Sequence, residues 1–195
     1  MIMISYINHR LSWVIVVACA LVLPAASLRA DPAAGDFQTL VDGPLRDLSQ
    51  SLQVISTLRA QNAMHKNVTN DTVRELDVRW RQGDTELIHA VMDNDLSSYL
   101  TAYAARSGGL YSEIFVIDDK GLNVGQSAVT TDYWQGDEAF FQHAFAGESH
   151  VGLQELDEST QKQQIKVSLP VRDEEGHIMG VLAVGVDADR FAAQH

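Results

Sequence analysis

The sequence has 195 residues, with 14 Lys plus Arg against 26 Asp plus Glu, 46% apolar side chains and a single cysteine. That length and apolar share fit one folded domain of ordinary size and exclude wholesale disorder. A net charge of −12 excludes general nucleic-acid binding, which needs a basic surface, and one cysteine excludes an intrachain disulfide, a Cys-rich zinc site or an iron–sulfur cluster.

Residues 1–30 read as a secretory signal. Arg10 precedes an almost wholly apolar run from Leu11 to Leu23, Pro24 ends it, and small residues lead to Ala30 before Asp31. The run is shorter than the roughly 20 apolar residues a membrane span needs. The expectation is an exported, periplasmic or secreted protein cleaved near Ala30, with one soluble domain over 31–195. Two other readings stay open: an uncleaved anchor, and lipidation of Cys19, because Val16-Val17-Ala18-Cys19 looks like a lipobox. Against the second, the residues after Cys19 are apolar where a lipoprotein tether is polar. Removal of residues 1–30 takes the cysteine with it and leaves a more acidic remainder.

From Pro44 to about Ala63 the positions Leu45, Leu48, Leu52, Val54, Ile55 and Leu58 predict a long helix with one apolar face, and Pro44 suits its first turn. That face meets the core or, as the alternative, a second copy. Thr72-Val73-Arg74-Glu75 is a capping-box pattern for a short helix through Trp80 that Gly83 ends. Asp84 and Asp95 suit the caps of two further helices, the second carrying Leu96, Tyr99, Leu100 and Tyr103. Beyond Ser107-Gly108-Gly109 the period changes. Ile114 to Ile117 and Leu122 to Val124 predict a hairpin around Asp118-Asp119-Lys120-Gly121. Asp132 to Ala146 reads as loop and helix, and Val151 to Leu156 as a strand. Ile165, Val167, Leu169 and Val171 alternate with polar residues, and Asp173 to Gly176 turns the chain into a last apolar strand, Ile178 to Val186. Helices first and hairpin-linked strands afterwards predict an α+β fold with an antiparallel sheet.

Familiar catalytic and cofactor spacings are absent: there is no G-x-S-x-G, H-E-x-x-H or Walker loop. The seven histidines lack ligand spacing and read as surface or capping residues, so no enzyme, cofactor or metal site is expected. Two places carry more chemistry. Asp132, Tyr133, Trp134 and Asp137 combine aromatic walls with orienting polar groups in a loop ahead of a helix, which suits a small-molecule pocket. The alternative has Asp137 capping that helix and Trp134 roofing the core. Lys166 and Ser168 share the strand face opposite Val167 and Leu169. On a solvated face they are ordinary; in a cavity, Lys166 would pair with a ligand carboxylate and Ser168 would hydrogen-bond the ligand.

The segment Ile114-Phe115-Val116-Ile117-Asp118-Asp119-Lys120-Gly121 resembles the first hairpin of the extracytoplasmic PAS-like sensor domains, the Cache or PDC family. Lys166 to Asp173, continued by Gly176 to Asp187, resembles that family's closing hairpin. The resemblance implies a central antiparallel sheet of five or six strands with a long N-terminal helix packed on one face. It implies a small ligand on the other face, near Asp132 to Asp137, Lys166 and Ser168. It also implies a sensor role without catalysis: a small polar metabolite such as a carboxylate or amino acid is bound, and occupancy passes to a membrane receptor or kinase. A homodimer through the long helix, a degenerate-pocket interaction module and a divalent-cation sensor remain as alternatives.

Overall fold

The computed structural model describes residues 37–159 and 161–194. The segment expected to be a signal, residues 1–30, and Cys19 within it lie outside the described residues. Among the described residues no helix is long and apolar enough to cross a membrane.

The chain begins with a helical arm. A π-helical turn, Val41–Leu45, is kinked at Gly43 and runs into α1, Arg46–Ser49. The expected long helix is then interrupted: Gln50 leaves helical geometry, and Ser51 turns extended to cap a new helix, α2, Leu52–Met64. Competition from the Ser51 hydroxyl for the Val54 N–H explains the break, since a capping side chain offers the backbone an alternative to continuing the helix. The break also re-phases the apolar face. Leu45, Leu48, Val54 and Leu58 are buried, whereas Leu52 at the new start is 81% exposed. The arm still packs on one face of the sheet, as the spacing predicts.

Three helices follow: α3, Asn70–Arg81; α4, Thr85–Met92; and α5, Asp95–Arg106. The capping-box expectation is displaced by three residues, because Thr69 caps α3 by accepting from the Thr72 N–H at 3.2 Å. Asp84 caps α4 as expected. Asn94 rather than Asp95 caps α5; its amide also donates to the Val124 carbonyl at 2.9 Å and so ties the helix to the sheet.

Five strands form one antiparallel sheet: β1, Tyr111–Ile117; β2, Asn123–Gln126; β3, His150–Leu156; β4, Gln163–Arg172; and β5, Ile178–Asp187. Their order is β2-β1-β5-β4-β3, which places the most apolar strand, β5, at the centre with β1 and β4 on either side. A helix α6, Ala139–Phe145, lies between β2 and β3 in sequence, and a short α7, Ala188–Ala192, closes the chain. Period-2 alternation sends Leu182, Val184 and Val186 of β5 with Val167, Leu169 and Val171 of β4 toward the arm and α5, forming the main core. The opposite side chains, Val181 and Ala183 with Phe115 and Ile117, pack under Phe141 and Ala144 of α6. Gly180 is required by this arrangement: a Cβ there would collide with the Ile117 carbonyl and with Leu58 of α2. The sheet thus carries an apolar face under the arm and a mixed face under α6.

Candidate functional site

The loop ahead of α6 borders two open, polar cavities. Its backbone is fixed by Asp77 of α3, whose Oδ1 accepts from the N–H groups of Tyr133 at 3.0 Å and Trp134 at 3.1 Å. The other oxygen of Asp77 pairs with Arg81 one turn on at 2.7 Å, and Arg81 lies 3.7 Å from Asp132. Tyr133 is turned inward, 4% exposed and stacked on Trp80 with ring centroids 5.3 Å apart. Burial pushes its hydroxyl above the ordinary phenol range. It therefore holds the loop down and is not among the residues that line the two cavities beside Trp134.

Trp134 instead stays half-buried. Its indole N–H donates to the Lys120 carbonyl at 3.0 Å, and the ring packs against Gly136, where a Cβ would overlap it. A cavity of about 370 Å³ is lined by Trp134, Asp132, Asp137, Glu138, Arg74, Asp77 and Arg81. A second, also about 370 Å³, shares Trp134 and Arg74 and extends to Asp119, Lys120 and Phe141. Glu138, at the cap position of α6, makes no capping bond to the helix. Partial loss of water contact, then the negative charges of Asp137 and Asp132, hold its carboxyl above the ordinary range, with the Lys166 charge acting in the opposite sense. Arg74 is paired with Asp71 and Arg81 with Asp77, but both arginines stay more than half exposed and keep further N–H donors. Asp137 and Glu138 form no ion pair among the described residues; with the indole these groups can orient a small molecule that carries both charges.

Lys166 and Ser168 sit elsewhere. The Lys166 ammonium forms an ion pair with Glu113, whose side chain is 2% exposed, and lies 3.9 Å from Asp157. It is also 5.0 Å from the ring centre of Phe115 and 5.7 Å from that of Phe140. Glu113 accepts a further bond from the Gln164 amide at 2.9 Å. The Ser168 hydroxyl, fully buried, donates to the Phe140 carbonyl at 2.8 Å and anchors α6 on the sheet. Both face away from Val167 and Leu169, as alternation requires, but neither lines the Trp134 cavities.

Of the six residues singled out from sequence, Asp132, Trp134 and Asp137 come together; Tyr133, Lys166 and Ser168 do not join them. Arg74, Asp77, Arg81 and Glu138 complete the groove without having been picked out. The i,i+4 pair Asp77 and Arg81 was the available signal for two of them, as was the single acid Glu113 in an apolar strand for the buried ion pair.

His65, read as a surface or capping residue, places its Nδ1 2.7 Å from the Asp118 carboxylate, which is fully buried. Asp118 also takes the N–H groups of Lys120 and Leu122, so the hairpin loop is bolted to the end of α2. Asp173, Glu175 and His177 bring potential metal-ligating atoms within 4.8 Å of one another in the β4–β5 turn. Asp173 is already spent there on closing the turn, accepting the His177 N–H at 2.7 Å.

No family model and no curated protein sequence matches the chain. Solved structures do. The sensor domain of E. coli DcuS aligns over 83% of this chain and 95% of its own, at 18% identity and a TM-score of 0.52. The sensor domain of the V. cholerae histidine kinase DctB aligns over 83% of this chain and 52% of its own, at 16% identity and a TM-score of 0.47. The ligand-binding domain of the Campylobacter jejuni chemoreceptor Tlp3, in complex with L-norvaline, aligns over 81% and 56%, at 18% identity and 0.41. The chain spans about half the length of the last two. These structures are sensor and receptor domains rather than enzymes. The chain has the fold of the Cache, or PDC, sensor domains.

Proposed function

From that fold we propose that the chain is an exported ligand-binding sensor domain. It takes a small polar metabolite in the groove beside Trp134 and passes occupancy to a membrane signalling partner through the N-terminal arm. The observation that carries this reading is the convergence of Asp132, Trp134 and Asp137 with Arg74, Arg81 and Glu138 on one cavity of about 370 Å³. The size suits a molecule of roughly amino-acid dimensions. The charges favour a zwitterion: Asp137 and Glu138 take an ammonium, the indole covers the stem, and Arg74 and Arg81, paired with Asp71 and Asp77 but more than half exposed, offer their remaining N–H donors to a carboxylate.

Lys166 has no part in this reading, because Glu113 already occupies its charge. A ligand carboxylate at Lys166 would have to displace a buried internal one. The test is a thermal-shift screen against amino acids, simple carboxylates, amines and divalent cations. Stabilisation by amino acids above the effect of either half alone is expected. No response from any amino acid, or a response to divalent cations alone, would overturn it.

A further inference from the structure

On the far side of the sheet's β3 edge, the molecule carries a second polar cavity that shares no residue with the Trp134 groove. Its position follows from strand lengths. β3 first pairs with β4 at His150 and Ser168, so Leu169 to Arg172 continue along β5 alone and leave a notch beside them. Pro170 lies on this open stretch, where a residue without an N–H is tolerated. The notch is closed by the turn Gly147 to Ser149 and by the break in the arm at Ser49 and Gln50, giving a cavity of about 300 Å³.

Two guanidiniums line it, from Arg46 of α1 and Arg172 of β4, and no carboxylate does. Arg172 donates to the carbonyls of Gly176 at 3.0 Å and Gly147 at 3.2 Å, neutral partners that orient the fork without cancelling its charge. Among the described residues it forms no ion pair. Arg46 pairs with Asp42 one turn back, and both remain about half exposed, at 52% and 49%. The Ser149 hydroxyl and the Gln50 amide add donors. In a chain with 26 acids against 14 bases, two arginines around one small cavity run against the composition. The field of the whole molecule repels anions, so what this notch attracts it attracts locally, through planar, permanently charged forks that match an oxyanion.

We propose that the notch between the arm and β4 is a binding site for a small oxyanion, a phosphate, sulfate or carboxylate, held by Arg46 and Arg172. One wall is the break between α1 and α2, so the bound anion would fasten the arm to the sheet at its least continuous point.

The experiment titrates the protein with inorganic phosphate, sulfate or acetate against chloride at matched ionic strength, following the melting temperature. A saturable rise above the chloride control is expected. A response to phosphate and sulfate alone assigns a tetrahedral oxyanion, and one to acetate alone a carboxylate. Arg46→Gln should raise the half-saturating concentration roughly ten-fold or more, the loss expected for one charged hydrogen-bonding group. Arg172 also ties two turns together, so Arg172→Lys, which keeps the charge and loses the fork, is the companion variant and should weaken the response similarly. No rise above chloride, or an unchanged response in Arg46→Gln, overturns the proposal. Arg74→Gln, in the other groove, should leave the response intact; its loss there would mean that the anion acts in the Trp134 groove instead.

Discussion

The Trp134 loop and the middle of β4 both carry charged side chains beside aromatic rings, yet they have opposite characters. Around Lys166 every charge is answered from within: Glu113 takes the ammonium, Gln164 takes Glu113, and Phe115 and Phe140 enclose the set. Around Trp134, Asp77 is consumed by backbone N–H groups and Arg81, but Asp137 and Glu138 are left facing the cavity. A charge already matched inside the fold contributes to structure. A charge the fold leaves unmatched, beside a half-buried indole and an open volume, is available to a ligand. The nature of the residues is similar in both places; the state of their partners separates them.

Removal of Lys166 breaks the comparison most forcefully. Lys166→Met strands Glu113 as a buried, unpaired carboxylate, and about 3–5 kcal/mol of unfolding free energy should be lost in a urea titration. The double variant Lys166→Met with Glu113→Leu should recover most of that loss, since a well-packed apolar pair can replace a buried ion pair. A ligand-contact role for Lys166 would instead leave the single variant as stable as the parent.

The reverse pattern is expected in the loop. Asp137→Asn should weaken amino-acid binding roughly ten-fold, or about 1.4 kcal/mol, and change stability by less than about 0.5 kcal/mol. Calorimetric titration and chemical unfolding on the same sample separate the two effects. Ser168→Ala should cost about 1 kcal/mol, the ordinary worth of one buried hydrogen bond, without altering ligand affinity.

The smallest effect is one of pH. Glu138 has a raised carboxyl pKa, so the folded state holds its proton more tightly than the unfolded chain does. Its contribution to stability is present at low pH and fades as pH rises from the ordinary carboxylate range through the raised value. Ammonium binding follows the opposite course, because Glu138 must be ionised to pair with it. Amino-acid affinity should therefore climb over the same interval, and Glu138→Gln should flatten that climb.

Much of the fold was legible because it rests on local periodicity. The alternation Ile165, Val167, Leu169 and Val171 and the turn at Asp173 to Gly176 predict β4 and β5 as they stand. Helix breaks were less legible. The spacing from Leu45 to Leu58 reads as continuous, and only the geometry of Ser51 shows that its hydroxyl ends one helix and begins another. The cap at Thr69 was hidden for a similar reason: Thr72 and Glu75 offer an equally good pattern three residues later, and side-chain chemistry alone does not choose between them.

Half of the candidate site was legible. Loop composition pointed to Trp134 and its acids, since an aromatic beside carboxylates is unusual in a plain turn. It could not say which way each ring turns; Tyr133 goes inward because Trp80, far back on α3, offers it a stacking surface. The partner of Lys166 was not legible, because period 2 gives a side chain's face but not what waits there, and Glu113 belongs to another strand. His65 and Asp118 are separated in the same way, by an entire helical layer of sequence.

The claim that the open groove beside Trp134, and not the closed cluster at Lys166, receives the ligand is tested most directly by isothermal titration of an amino-acid panel into the parent protein and Asp137→Asn. Saturable one-site binding to the parent, weakened roughly ten-fold in the variant, is the predicted result. Binding of equal strength in both, or no binding of any amino acid to the parent, would contradict it.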